Sequence, residues 1–234
     1  NFNLSGPLAG EALTMRLYGN INKTEPDAWD INHAQNGSYA AGREGVRNKD
    51  INALLSWKMT PQQILDFSYA YSRQGNIYAG DTQYSNGNLS PNGLVDSLYG
   101  HETNRLYRQS WGLTYNGLWD WGQSKAGVYY EKTNNTRLQE GSTGRVEGMI
   151  NSEDYATSRL ESWRTTSEFN VPFFWLADQT LTLGMEWNHD QLDDPASMQA
   201  TNSNGETIPG TSGDPTQRST KNSATLTGIY LEDN

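Results

Sequence analysis

Arginine side chains recur at the ends of neighbouring strand-like segments, where together they could bind an anion. Arg73 ends one such segment, Arg105 and Arg108 begin the next, and Arg43 and Arg47 precede an earlier one. A guanidinium stays charged at neutral pH and presents a rigid fork of donors that matches planar anionic oxygens. Because the chain carries a net charge of −10, this cluster would be a local basic patch on an acidic protein. The predicted chemistry is capture of an anionic ligand.

Tyrosines lie beside these arginines in the sequence and could pack against an aromatic ligand, with cation–π support from arginine. They are Tyr78, Tyr84, Tyr99 and Tyr107. A second interpretation stays open, in which the arginines pair with anionic lipopolysaccharide or with neighbouring carboxylates, such as those of Glu44, Asp50, Asp81 and Glu102.

The sequence offers little support for catalysis. Its three histidines, His33, His101 and His189, fall in or beside different connections, and none has HExxH spacing. We find no nucleophile elbow, P-loop or GxGxxG pattern, and no EF-hand surrounds the pair Asp193 and Asp194. The absence of cysteine excludes disulfides and thiolate ligands. We predict no enzyme, no metal site and no cofactor, and the negative charge argues against nucleic-acid binding.

The elements that position these side chains are strands with one wet face. In Leu65–Ser72, Gln109–Asn116 and Gln179–Asn188 every second residue is large and apolar, as in a strand with opposite faces in different environments. Only 34% of residues are hydrophobic and the mean hydropathy is −0.81, yet the chain has 8 Trp. No apolar run reaches the length of a transmembrane helix. These features predict an all-β fold, an antiparallel transmembrane β-barrel segment whose inner face is polar.

Connection lengths strengthen this prediction, because short turns alternate with long loops. We place turns near Pro7, Pro61, Trp121 and Pro172, and loops around Trp29, Gly87, Gly141 and Gly205. Outer-membrane barrels have short periplasmic turns and long extracellular loops, whereas a soluble β-sandwich or β-helix has no reason to combine this order with the alternation. The predicted turns include Gly6–Gly10 and Pro172–Asp178, and the predicted loops are Lys23–Gly45, Asn76–Asn104, Asn134–Ser158 and Asp190–Lys221.

Several phrases resemble the ferric enterobactin receptor family, the TonB-dependent outer-membrane transporters of catecholate siderophores. The most specific are Tyr18–Thr24, Asp27–Asn32, Ala41–Val46, Tyr71–Asn76, Tyr78–Gln83 and Glu102–Gln109. The resemblance continues through Gln179–Gly184 and Glu186–Asn188, and it fades near 134–158 and 190–220.

The resemblance implies a barrel of about 22 strands plugged by an N-terminal domain. Residues 1–234 would be an internal part of that barrel, roughly nine strands, without the plug and the closing C-terminal strands. It further implies binding of a ferric catecholate siderophore, with iron carried inside the ligand, by Arg43, Arg73, Tyr78, Arg105 and Arg108.

By the same resemblance, the protein would lie in the outer membrane of a Gram-negative bacterium. Its partners would be the siderophore, the TonB complex acting through the absent plug, and outer-membrane lipid and lipopolysaccharide. Two alternatives remain at this point: a passive porin or adhesin, and a soluble carbohydrate-binding β-protein.

Overall fold

The chain forms one antiparallel sheet. The computed structural model describes residues 1–27, 43–79, 100–140, 150–175, 177–194 and 221–233, except for the side chains of 137–140 and 150–156. The strands pair in sequence order and are β1 (Phe2–Ala9), β2 (Leu13–Thr24), β3 (Gly45–Thr60), β4 (Gln63–Ile77), β5 (Glu102–Trp119), β6 (Gly122–Glu140), β7 (Ile150–Trp175), β8 (Ala177–Asp193) and β9 (Lys221–Asp233).

All long connections join strands at the same edge of this sheet. Residues 25–44, 78–101, 141–149 and 194–220 connect strands there, at what we call the upper edge, and residues 10–12, 61–62, 120–121 and 176 connect them at the opposite edge. The asymmetry predicted from the sequence is therefore confirmed. No helix within the described residues is long and apolar enough to cross a membrane.

Cross-strand register collects large apolar side chains on one side of the sheet, which we call the apolar face. A single row joins Met15, Leu55, Phe67, Leu113 and Val128. Phe67 and Leu113 are 42% and 40% exposed, while the only buried hydrophobic residues within the described part of the chain lie at 77–79. Nothing in these ranges packs over the row as a second layer would. The arrangement fits a wall that faces lipid and not a soluble sandwich.

Aromatic side chains border the apolar face at two levels. Trp111 packs against Tyr130 and Trp163, with ring centroids 5.6 and 5.3 Å away. Trp119 lies lower on the same strand and stacks on Trp121 at 6.2 Å. Between Trp111 and Trp119 lies about 26 Å of strand at about 3.3 Å per residue, close to the height of the apolar band of outer-membrane barrels.

The opposite side of the sheet, the polar face, is joined by hydrogen bonds between side chains. Ser56 donates to Asp66 over 2.6 Å, and Asn170 donates to Glu168 over 2.9 Å. These bonds satisfy groups that could not face hydrocarbon, so the polar face must be the wet one.

Gly184 makes room for a ring on the polar face. A Cβ at this position would lie 1.9 Å from Tyr230 Cζ, and the Tyr230 hydroxyl donates to Glu168 over 2.7 Å. We expect Gly184→Ala to displace the ring and to lower the free energy of unfolding by about 1 kcal/mol. Gly228 is the matched control, because a Cβ there meets nothing within 4 Å. Chemical unfolding of the whole protein should separate the two variants, and equal midpoints would contradict the prediction.

Two turns predicted from the sequence have the wrong bounds. Gly6 and Pro7 lie inside β1, with Pro7 paired to Thr14 beside an irregularity; β1 has no described neighbour on its other side, and proline is tolerated on edges and at bulges. Pro172 lies inside β7, paired with Thr180 on β8. It lies past Asn170, where the pairing of β7 with β6 ends, so β7 has an unpaired side there, and proline is tolerated at such an edge.

The segment predicted as a loop at Asn134–Ser158 consists mostly of strand. β6 continues to Glu140 and β7 begins at Ile150, and the hydroxyls of Thr136 and Thr157 lie 2.9 Å apart across the pair. Above the lipid a ladder needs no apolar side chains, so these strands carry no period-two signal in the sequence.

Candidate functional site

The upper edge carries a cluster of charged side chains where β4 and β5 meet the connection 78–101. Its centre is an ion pair between Arg73 at the end of β4 and Glu102 at the start of β5. The two side chains are 12% and 14% exposed, so the pair is largely shielded from water. The ion pair joins the two strand ends from which the connection 78–101 leaves and returns.

The guanidinium of Arg73 is held on several sides. Its Nη2 donates to Glu102 Oε2, its Nη1 donates to the backbone carbonyl of Arg47 over 3.1 Å, and its central carbon lies 5.7 Å from the centroid of the Tyr107 ring. These partners occupy much of the donor fork. The geometry gives Arg73 a supporting role in the wall of the site.

Glu102 is the acid around which three arginines gather. Burial acts to raise the pKa of its carboxyl, but the hydrogen bond and charge of Arg73, with the charges of Arg47 and Arg105, outweigh burial and hold the pKa below its usual range. Glu102 pairs with Ile77, four rows above Trp111, and its carboxyl is ionised at neutral pH. One carboxylate thus faces three guanidinium groups, and the cluster keeps a positive excess.

A cleft of about 370 Å³ opens beside this cluster and is lined by Arg47, Ile77, Gly100, His101, Glu102 and Arg105. Arg47 Nε lies 3.6 Å from Glu102 Oε1, and its side chain is 53% exposed. The cleft therefore offers arginine donors at an opening to solvent. That donor set suits anionic oxygens.

Arg108 lies on the other side of the sheet. Its Nη2 is 2.5 Å from Glu131 Oε2 on β6, and its side chain is 57% exposed. Register pairs Arg108 with Ser72, which belongs to the polar face, whereas Arg73 and Arg105 continue the phase of Phe67 and Leu113. The strand alternation therefore separates Arg108 from the other two.

The two remaining predicted residues have different surroundings. Arg43 lies at the base of the first long connection, where its backbone N–H donates to Asp27 over 2.7 Å, and its side chain is 79% exposed. Tyr78 is only 4% exposed, and its backbone N–H donates to the His101 carbonyl over 2.9 Å, which extends the β4–β5 ladder. The ring of Tyr78 therefore lies beneath the surface that a ligand would meet first.

The structure thus brings together Arg73 and Arg105, and it keeps Arg43 and Arg108 apart from them. Sequence reasoning placed Arg47 in the basic group without a ligand role and treated Glu102 only as a possible partner. The phase of β3 could have indicated Arg47, since it continues the alternation of Leu55 and Trp57. Tyr84, Tyr99, Asp81 and His33 lie outside the described residues.

Within the described ranges, no group of three or more His, Cys, Asp or Glu side chains is placed to hold a metal ion. The pairing of arginines with neighbouring carboxylates, left open by the sequence, is present at Glu102 and Asp27. The positive charge available for a ligand is therefore the arginine charge that these ion pairs do not neutralise.

Comparison with known proteins places this sheet in a family. No protein-family model matches the sequence. The chain is 47% identical over 238 residues to the ferric enterobactin receptor PirA of Pseudomonas aeruginosa, covering 100% of the chain and 32% of that relative. The chain belongs to the ferric enterobactin receptor family. It spans about a third of the length of the curated relatives it matches.

Solved structures of the family share the architecture. The siderophore receptor PirA of Acinetobacter baumannii superposes with a TM-score of 0.81 at 46% identity, over 99% of the chain and 32% of that structure. A variant of the P. aeruginosa ferric enterobactin receptor PfeA in complex with enterobactin gives 0.80 at 45% identity, over 99% of the chain and 34% of that structure. The sheet is therefore a transmembrane barrel wall of the TonB-dependent siderophore receptor type, as the sequence predicted.

Proposed function

We propose that the protein captures a ferric catecholate siderophore at the cell surface and imports it across the outer membrane of a Gram-negative bacterium. The observation that carries this proposal is the similarity, over the whole chain, to ferric enterobactin receptors, one of them solved with enterobactin. Arginines at the upper edge of an otherwise acidic chain suit a triply anionic ferric catecholate complex. The iron is cargo within the ligand, and transport needs no covalent step.

The energy for import would come from the TonB complex acting through a plug domain. In this proposal residues 1–234 form part of a larger barrel domain of about 22 strands, in which the plug and the remaining strands are further sequence of the same receptor. Outer-membrane lipid and lipopolysaccharide would surround the apolar face. Uptake that persists at the same rate without TonB would instead favour a passive porin.

The proposed ligand-binding residues are Arg43, Arg73, Tyr78, Arg105 and Arg108. Among them the polar-face position and the 57% exposure favour Arg108, because a ligand that enters the barrel passes this face. Arg73 and Arg105 continue the apolar phase and would reach a ligand only above the rim. Their contact with siderophore stays a prediction that single substitutions can test.

Arg108→Ala is expected to raise the Kd for ferric enterobactin about tenfold, because a hydrogen bond to a charged group contributes about 1.5 kcal/mol or more. The measurement is equilibrium binding of labelled ferric enterobactin to cells that display the whole protein. The amount of receptor in the outer membrane is checked in parallel.

Arg164→Ala provides a matched control. Arg164 also lies on the polar face and pairs across strands with Glu186 at 2.8 Å, with 52% of its side chain exposed, but it lies further from the upper edge. We expect its affinity to stay near that of the unmodified receptor. Equal weakening by both substitutions, or none by Arg108→Ala, would remove Arg108 from the ligand site.

A further inference from the structure

The apolar face becomes strongly basic above its upper aromatic row. Strand phase and register place on this side, above the row, Lys23, Arg47, Lys49, Arg73, Arg105, Lys132, Arg159 and Lys221. The acidic side chains described there are Glu25, which pairs with Lys23, and Glu102, Glu161 and Asp193. Basic residues therefore outnumber acidic ones on this surface, although the chain as a whole has a net charge of −10.

The polar face does not share this excess at the same level. There Asp50, Glu131 and Asp190 lie within one row of Arg108, and all three carboxylates are bound by neighbours, Asp50 by the side-chain amide of Asn52 at 3.3 Å. Glu131 pairs with Arg108, and Asp190 accepts from Asn188 over 2.9 Å. The basic surface is thus confined to the upper part of the apolar face, the same side of the sheet that contacts lipid further down the strands.

Height along the strands places this surface at the level of lipid headgroups. Trp111 and its aromatic neighbours mark the row where the apolar band ends. Lys132 follows one row higher, Arg73 and Lys49 two rows higher, and Arg105 three rows higher. Each row adds about 7 Å of strand. Cations within about 20 Å of an aromatic girdle meet the phosphates of lipids whose chains pack on the apolar face below.

The cleft between Arg47 and Arg105 is the best-formed site on this surface. Arg73 and Glu102 hold its inner wall through their ion pair, while Arg47 remains 53% exposed and His101 lies at the opening. The volume of about 370 Å³ accommodates a phosphorylated sugar unit better than a lone phosphate ion. Two guanidinium groups on separate strands can bind one phosphate from two sides.

We propose that the cleft lined by Arg47 and Arg105 binds the phosphorylated headgroup of an outer-leaflet glycolipid. The inference depends on the outer-membrane location and not on siderophore capture. It gives the outward arginines a ligand of their own, consistent with their phase, and leaves the polar face to the transported ligand. Bound lipid would also brace the base of the connection 78–101, because Glu102 and His101 belong to the same cleft.

The test uses the whole protein, purified in detergent, with Arg47→Ala and Arg105→Ala combined. Arg73 is left in place so that the ion pair with Glu102 survives. The probes are a lipid A that carries two phosphates, its dephosphorylated form and inorganic phosphate. Lipid retained per receptor is counted by native mass spectrometry. We expect the double variant to retain at least about tenfold less phosphorylated lipid, with no change for the dephosphorylated form.

Arg164→Ala, on the polar face, serves as the control and should retain lipid like the unmodified receptor. The thermal unfolding midpoint is measured on the same samples, and an unchanged midpoint shows that the double variant is folded. The proposal is overturned if the double variant retains phosphorylated lipid normally, if both lipid forms bind alike, or if inorganic phosphate binds as tightly as the lipid.

Discussion

Replacing Glu102 by leucine is expected to lower the free energy needed for β4 and β5 to separate at the upper edge by about 3 kcal/mol. Removing one partner of a shielded ion pair leaves the other charge uncompensated, at a cost of about 3–5 kcal/mol. Here the remaining charge is Arg73, only 12% exposed and close to two further arginines. Hydrogen exchange of the amides of 73–77 and 102–107 in the whole protein measures this opening directly.

A double variant separates the charge from the packing. Arg73→Met together with Glu102→Leu removes both charges and keeps apolar volume, and such replacements of buried pairs are often neutral. We expect the double variant to be more stable than Glu102→Leu alone. If the double variant opens as easily as the single one, the loss comes from the shape of Glu102 and not from its charge.

Acid should weaken the same edge. The pKa of Glu102 is held below its usual range, so its contribution is fully present above the ordinary carboxyl pKa of about 4.3. The contribution is lost as the pH falls through the lowered value of the folded state. Exchange protection of 102–107 should decline over that acid range in the unmodified receptor, and the decline should be absent in the Arg73→Met, Glu102→Leu variant.

Replacing Leu113 by lysine should reduce the amount of folded receptor in the outer membrane and destabilise it by about 2 kcal/mol. A lysine that faces lipid costs about 2–4 kcal/mol at mid-bilayer and less towards the interfaces. Leu113 is 40% exposed on the apolar face and lies one row below Trp111. Urea unfolding of receptor reconstituted in lipid vesicles, with quantification of the outer-membrane fraction, checks both effects.

Thr114→Lys is the matched control for this substitution. The residue is adjacent in β5 but lies on the polar face, and register pairs it directly with Asp66. A lysine there meets water and a carboxylate, so we expect a smaller loss, limited to the bond between Thr114 and the Tyr129 hydroxyl at 3.2 Å. Equal destabilisation at 113 and 114 would contradict the assignment of the two faces.

Much of the wall could be predicted from the sequence because alternation is a local property. The phase of Leu65–Ser72 and Gln109–Asn116 fixes which side chains share a face, and the structure keeps that phase from Gln63 to Asn76 without a register shift. The prediction of strand bounds failed above the lipid, where both faces of the sheet meet water. The strands between Asn134 and Ser158 stand above the lipid, so their side chains carry no alternation, although their backbones pair as before.

The proline positions show a second limit of sequence reasoning. Pro7 and Pro172 were predicted in turns because proline lacks an N–H donor. Each is instead paired with one neighbouring strand, Pro7 with Thr14 and Pro172 with Thr180, and no described strand lies on the other side. Whether a missing donor matters depends on where adjacent strands end, and that is a property of the assembled sheet.

The sequence by itself determined the barrel wall, its two faces and the edge that carries the long connections, because each follows from residue spacing along the chain. Only the tertiary structure decided how the arginines divide. Pairing across strands brings Arg47, Arg73 and Arg105 around Glu102 and leaves Arg108 with Glu131 on the opposite face. These contacts join residues far apart in the chain, so they depend on register between strands and not on any local pattern.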